Sequence, residues 1–156
     1  MITTTNTMIT LTRTTAENKH FQELVQQLDL ELKIRDGDDH SFFAQFNKID
    51  TIKHVVVAYQ GITPIGCGAF KPYENQTMEI KRMFVAPSHR GKGIATLILF
   101  ELEKWCRELN VERCILETGE KQPEAIHLYR KNKYTVIPNY GQYTNVESSI
   151  CFEKTL

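Results

Sequence analysis

Two glycines, Gly91 and Gly93, stand between a short apolar run, Met83-Phe84-Val85, and a long apolar-periodic segment that opens at Ile94. That order constrains the chain more than any other stretch, because it reads as strand, turn and helix. Ala86-Pro87 ends the strand, since proline has no N–H to give to a sheet ladder. Glycines at a helix entrance let backbone N–H groups approach a ligand with no side chain in the way. The first helical turn carries unpaired N–H groups and a partial positive charge, which suits phosphate. Arg90 and Lys92 add positive charge beside it. Met83 to Thr96 therefore predicts an anion pocket suited to a pyrophosphate.

The spacing excludes two common phosphate loops. A Walker-type loop needs Gly-x-x-x-x-Gly-Lys-Ser/Thr, but Ala86 stands five residues before Gly91 and Gly93 follows Lys92. A dinucleotide turn needs Gly-x-Gly-x-x-Gly, and Thr96 stands where its third glycine belongs. What fits is Arg-x-x-Gly-x-Ala, as Arg90, Gly93 and Ala95, led in by Phe84-Val85-Ala86-Pro87. This resembles the acyl-CoA-binding loop of the GNAT family of N-acetyltransferases. The competing reading is an ordinary strand–helix turn with two glycines. A second block, Pro123 to Tyr134, resembles the family's Ala-x-x-x-Tyr segment, as Ala125 and Tyr129. Two residues depart from the pattern. Gln122 stands where the family often has Asn, which bears on a contact to the pantetheine arm. Lys133 stands where Gly often precedes Tyr134, which bears on a helix end. The resemblance runs from about Ile9 to Leu156 and is most specific between Glu79 and Tyr134.

A chain of 156 residues is expected to form one domain, 1–156, with residues 1–8 a loose N-terminal extension. Apolar and charged fractions of 41% and 24% are those of a folded protein rather than a disordered one. Lys+Arg and Asp+Glu are equal at 19, so no global charge argues for a nucleic acid or a membrane as partner. No apolar run reaches the roughly 18 residues of a membrane span, and no leader-like start is visible. A cytoplasmic location is the expectation. Cys67, Cys106, Cys114 and Cys151 form no Cys-x-x-Cys pair and have no His at metal spacing, so buried free thiols and no metal site are expected.

Alternation predicts a first strand over Ile9–Arg13. Thr14 or Thr15 can cap a helix whose buried face is Phe21, Leu24, Val25, Leu28 and Leu32. Arg35 to Asp39 is turn chemistry, followed by a short amphipathic piece, Ser41 to Phe46. Strands follow at His54–Tyr59, Ile62–Phe70 and Thr77–Val85, with Lys71–Asn75 a loop. Gly66 and Gly68 mark close backbone packing or a bulge. Ile94 to Leu109 is the strongest helix, with Ile94, Leu97, Ile98, Leu102, Trp105 and Leu109 on one face. A strand at Glu112–Thr118, a helix opening at Gln122-Pro123, and strands at Tyr134–Pro138 and Ser148–Glu153 complete the chain. The fold class is α/β (α+β). The resemblance implies a mixed, mostly antiparallel sheet of about six to seven strands flanked by about four helices.

The resemblance also implies acetyl transfer from acetyl-CoA, with no metal, to a primary amine of a small molecule or peptide. Such transfer needs a neutral amine, a donor for the developing oxyanion and a proton for the leaving thiolate. Tyr129 has the position of the family's general acid; the alternative is a core tyrosine with a satisfied hydroxyl. Glu79 has the position of a base, or else pairs at the surface with Lys81 or Arg82. Met83, Phe84, Val85, Arg90, Gly91, Lys92, Gly93, Ile94, Ala95, Thr96 and Gln122 are the implied cofactor-binding set. The Val85 N–H would face the thioester carbonyl. The acid-rich stretch Asp29–Asp39 is a solvated turn or a lure for a cationic acceptor. Tyr140 and Tyr143 wall the acceptor pocket or pack a tight turn. His89 and His127 are read as solvated or satisfied. A CoA-binding sensor without catalysis is the rival reading. A homodimer is compatible with either.

Overall fold

The computed structural model describes residues 8–37 and 52–156. The expected loose end at Met1–Thr7, Asp38 and Asp39, and the piece Ser41–Phe46 lie outside them. The elements run β1 (Ile9–Thr14), α1 (Lys19–Asp36), β2 (His54–Gln60), β3 (Thr63–Glu74), β4 (Thr77–Val85), α2 (Ile94–Glu108), β5 (Arg113–Gly119), α3 (Pro123–Lys131), β6 (Thr135–Ile137) and β7 (Ser149–Thr155). Seven strands form one sheet in the order β1-β2-β3-β4-β5-β7-β6. All neighbours are antiparallel except β4 and β5. Three α-helices lie among the described residues, against about four expected.

Both faces of the central strands are covered, so these strands are apolar without alternation. Val55 and Val57 of β2 join Phe21, Leu24, Val25 and Leu28 of α1 in one buried layer. Val56 and Ala58 face the other way, onto Ile94, Ile98, Leu99 and Leu102 of α2 and Tyr129 of α3. The four cysteines are buried thiols.

Three local expectations are corrected. The cap of α1 is Asn18 rather than Thr14 or Thr15: its side-chain oxygen accepts from the Phe21 amide at 3.0 Å. Thr15 instead accepts from the Glu17 amide, one turn too early. Strand β3 does not stop at Phe70. It continues to Glu74, because β4 still pairs with it after β2 has ended at the His54–Phe70 pair. Pro72 is tolerated there on a stretch with one partner strand. The inner face of α2 excludes Leu97 and Leu109, which are 42% and 44% exposed. Leu99, Glu103 and Cys106 take their place, with the Glu103 carboxylate held by the Tyr134 hydroxyl and the Lys154 ammonium at 2.8 Å each.

Candidate active site

Strands β4 and β5 pair only over Thr77–Glu79 and Arg113–Ile115, then part. The cause lies in β4. Opposite β3, the register passes from Ala69–Lys81 to Cys67–Phe84, so β4 carries one residue more than its partner. The extra residue bends the strand, as a bulge does. Arg82 sits in the bulge with φ 62°, a conformation uncommon for a bulky side chain. Glycine lets the opposite strand fit. A Cβ on Gly68 would stand 2.5 Å from the Met83 sulfur and 2.9 Å from Ile98 Cγ2. Sequence spacing alone marks these glycines for close packing, and that is their role.

The parting leaves an open strand edge. Ala86 donates its N–H to the Ile65 carbonyl at 2.8 Å, a bonded pair. By the alternation of antiparallel ladders, Val85 next to it turns its N–H and C=O away from β3. Arg90 Nε takes that C=O at 2.8 Å. The Val85 N–H faces the gap.

A cavity of about 720 Å³ fills the gap. Met83, Phe84, Val85, Arg90, Gly91, Gly93, Ile94, Ala95, Thr96 and Gln122 all line it. Lys92 of the implied set does not; it is exposed. Gly91 and Gly93 have φ 77° and 79°, which explains glycine at both places. Leu97 is the first amide of α2 to reach a backbone acceptor, Gly93 O at 3.1 Å. The amides of Ile94, Ala95 and Thr96 are thus the unpaired first turn, and these residues line the same cavity as the open strand edge at Val85. A helix N-terminus and an open strand edge are the groups that a diphosphate followed by an amide-bearing arm could use. His89 and His127 also line the cavity, and His89 is bonded to Ser88 and Gln60 at 3.0 Å each.

A smaller, polar cavity of about 100 Å³ adjoins it. Glu79, Lys81, Arg82, Glu117, Thr118 and Tyr143 supply its polar and charged lining. Leu28, Met83, Gln122, Ala125 and Tyr129 line both cavities and so mark where the two meet. Burial, and after it the Glu117 charge, pushes the Tyr129 hydroxyl above its ordinary value. Glu79 is 3% exposed, so it makes no surface pair with Lys81 or Arg82. It accepts from the Tyr140 hydroxyl at 2.6 Å, with Lys71 Nζ 3.9 Å away. Lys81 Nζ lies 3.5 Å from the Tyr143 hydroxyl, and burial lowers its pKa. The two tyrosines of the last connection thus meet Glu79 and the cavity wall, and their rings stack edge to face.

Sequence reading misses Glu31, Arg35, Lys81, Arg82 and Glu117 as site residues. In the acid-rich stretch, Asp29 and Glu31 both have arginine partners: Asp29 is held by Arg82 at 2.9 Å and Glu31 by Arg90 at 2.8 Å. Glu117 lies on β5, whose pairing no local pattern announces.

The sequence profile described as the Acetyltransferase (GNAT) family matches residues 17–134. The IAA acetyltransferase of Azospirillum brasilense is 33% identical over 92% of this chain and 97% of its own. A crystal structure from Klebsiella pneumoniae, named for acyl-CoA N-acyltransferase, superposes with TM-score 0.81 at 26% identity, covering 97% of this chain and 99% of that one. The PaiA N-acetyltransferase of Thermoplasma acidophilum, solved in complex with coenzyme A, shares the fold at TM-score 0.70 and 20% identity over 96% of this chain and 99% of its own. The chain belongs to the GNAT acetyltransferase family. It is, with that family, an N-acetyltransferase. Among the described residues no helix is long and apolar enough to cross a membrane.

Proposed function

We propose that the protein transfers an acetyl group from acetyl-CoA to a primary amine by direct attack within a ternary complex. The observation that carries this reading is Tyr129, which lines both the long cavity and the small polar one. A group at that junction can serve a reaction between two substrates that enter from opposite sides. Acetyl-CoA supplies the activated acyl thioester.

The chain's own residues do the rest. The first-turn amides of α2, with Gly91 and Gly93, hold the diphosphate, and Arg90 stands beside it. The open edge at Met83 and Val85 holds the pantetheine arm as an added strand would be held. The Val85 N–H polarises the thioester carbonyl. Glu79 takes the proton that the acceptor carries as an ammonium, directly or through water, which frees the nitrogen lone pair. The C–N bond then forms and the C–S bond breaks. Tyr129 gives its proton to the departing sulfur, and the second proton of the nitrogen restores it. The products are an N-acetylated amine and a free thiol.

The experiment has two arms. Calorimetry with acetyl-CoA should show one site per chain, and thiol release should follow on adding an acceptor from an amine panel. Glu79→Gln should lower kcat by about 100-fold or more, the scale of a lost general base. Unchanged turnover in Glu79→Gln across pH would remove the base from this scheme.

A further inference from the structure

We infer that the acceptor is an amino-carboxylate, a zwitterion whose carboxylate is received by Arg82 while its amine lies at Glu79 and Glu117. The inference rests on the acetyl-transfer reading and names the substrate class of its smaller cavity.

Arg82 is the anomaly of the site. Its side chain is 4% exposed, yet only part of its guanidinium is engaged. Nη1 donates to Asp29 Oδ1 at 2.9 Å. Nε is buried and has no hydrogen-bond partner. Buried donors are almost always paired, so an orphan beside a cavity points to a missing acceptor. The backbone adds to the case. Arg82 holds φ 62°, a strained state for a residue of this size, and such states cluster where a ligand is bound.

Geometry selects the ligand. A guanidinium presents two edges, each able to meet a carboxylate through two parallel N–H bonds. Asp29 takes an atom on one side. The edge that includes Nε belongs to the side left over. Asp29 is thus a positioning residue.

The same cavity carries carboxylates for the other end of the zwitterion. Glu79 of β4 and Glu117 of β5 line it. Tyr140 orients the first at 2.6 Å and Ser149 the second at 2.7 Å. Lys81 lines the cavity with them, its pKa lowered by burial, and Lys71 stands 3.9 Å from Glu79; the two carboxylates together still draw an ammonium toward the junction with Tyr129. An amine with no carboxylate would leave Arg82 as it stands, with a buried donor unmet. The cavity therefore matches an acceptor carrying both charges better than a polyamine or an amino sugar, which bring ammonium groups and no carboxylate.

The test is a paired panel on the unmodified protein with acetyl-CoA: the common L-amino acids, each beside its own α-carboxamide, followed by thiol release. At least one amino acid should show kcat/KM tenfold or more above its carboxamide. In Arg82→Lys, which keeps the charge and loses the fork, that ratio should fall toward one, chiefly through KM. Acetyl-CoA affinity by calorimetry should stay unchanged. Carboxamides acetylated as fast as their acids, or no acid acetylated while acetyl-CoA binds and other amines react, would overturn the inference and leave acetyl transfer standing. Failure to bind acetyl-CoA at all would instead defeat the acetyl-transfer reading and this inference with it. If Arg82→Lys does not fold, the paired panel still decides.

Discussion

Glu31 of α1 grips Arg90 of the glycine turn at the rim of the large cavity, with Nη1 and Nη2 at 2.8 and 3.0 Å from its two carboxylate oxygens. Arg35, one turn further along α1, makes a similar clasp on Glu124 of α3 at 2.7 Å. A diphosphate arriving at the α2 N-terminus would compete with Glu31 for the Arg90 fork. Both groups are partly exposed, so their pair is worth about 0.2–1 kcal/mol. Glu31→Gln is therefore expected to tighten acetyl-CoA binding by up to about fivefold. Calorimetry reads this directly. Weaker binding in the variant would show that Glu31 holds the turn in its binding shape rather than opposing the ligand.

Tyr129→Phe removes one oxygen from a buried ring and leaves its packing against Tyr134 and Phe152 in place. Stability should change little. Turnover should fall by about 100- to 10,000-fold if the hydroxyl delivers the proton to sulfur. The Michaelis constant for acetyl-CoA should stay close to its original value, since the lost interaction belongs to the transition state. The raised pKa sets the sign of the pH effect. Tyr129 stays protonated through the neutral range, so its loss should lower the rate at every pH there rather than reshape one limb. Rates that match the unmodified enzyme would return Tyr129 to the core.

The glycine turn and the α3 tyrosine are legible in sequence because each is a local pattern. Gly91 and Gly93 announce left-handed backbone, and Ala125 to Tyr129 is one helical turn. Glu79 is legible only by resemblance, since its environment is built by Lys71 of β3 and Tyr140 of the last connection. Arg82 and Glu117 are not legible at all. Arg82 becomes a site residue through a bulge, and a bulge is a mismatch between two strands that neither strand encodes alone. Glu117 enters through the parting of β4 from β5, a parallel pair joined by a whole helix. The partners of the acid-rich stretch are hidden for the same reason. Asp29 and Glu31 look solvated in sequence, and long-range arginines claim them in the fold. The errors on α2 are of another kind. Leu97 and Leu109 satisfy the helical period, but the buried stripe is turned toward Leu99, Glu103 and Cys106.

Gly68 tests the packing that lets the strands part. A methyl group there would meet the Met83 sulfur at 2.5 Å and Leu102 Cδ1 at 2.9 Å. Met83 can bend away, but Leu102 and Ile98 sit in a filled core. Gly68→Ala is expected to destabilise the protein by about 1–3 kcal/mol, the usual cost of overpacking. Thermal or urea unfolding measures it. Because Met83 lines both cavities, the variant should also lose acetyl-CoA affinity in the fraction that stays folded. A stable variant with full affinity would mean that β3 shifts freely against α2.

Alkaline pH should unfold this protein more readily than neutral pH, and the buried acids say where. Burial pushes the Cys67 thiol up from 9.0 to about 12, partly offset by Arg82. Burial likewise lifts Cys151 from 9.0 to about 11. Tyr129, Tyr134, Tyr140 and Tyr143 are all displaced upward from 10.0, with burial the largest cause in each. Each of these groups is neutral when protonated. Well below pH 9.0 they are protonated in both the folded and the unfolded chain, and they add no pH dependence. Above that the unfolded chain releases protons that the folded chain retains, so stability falls with rising pH. For the two thiols the decline runs from 9.0 toward 11 and 12. The urea midpoint should therefore hold level near neutrality and drop steadily above about pH 9. Cys67→Ala should start from a lower midpoint, because it empties part of a filled core, and should decline less steeply. In the unmodified protein, iodoacetamide should label Cys67 only as fast as the chain unfolds, since the thiolate is the nucleophile and the folded protein suppresses it. Rapid labelling under native conditions, or a midpoint unchanged to about pH 11, would show these thiols and phenols to be open to solvent.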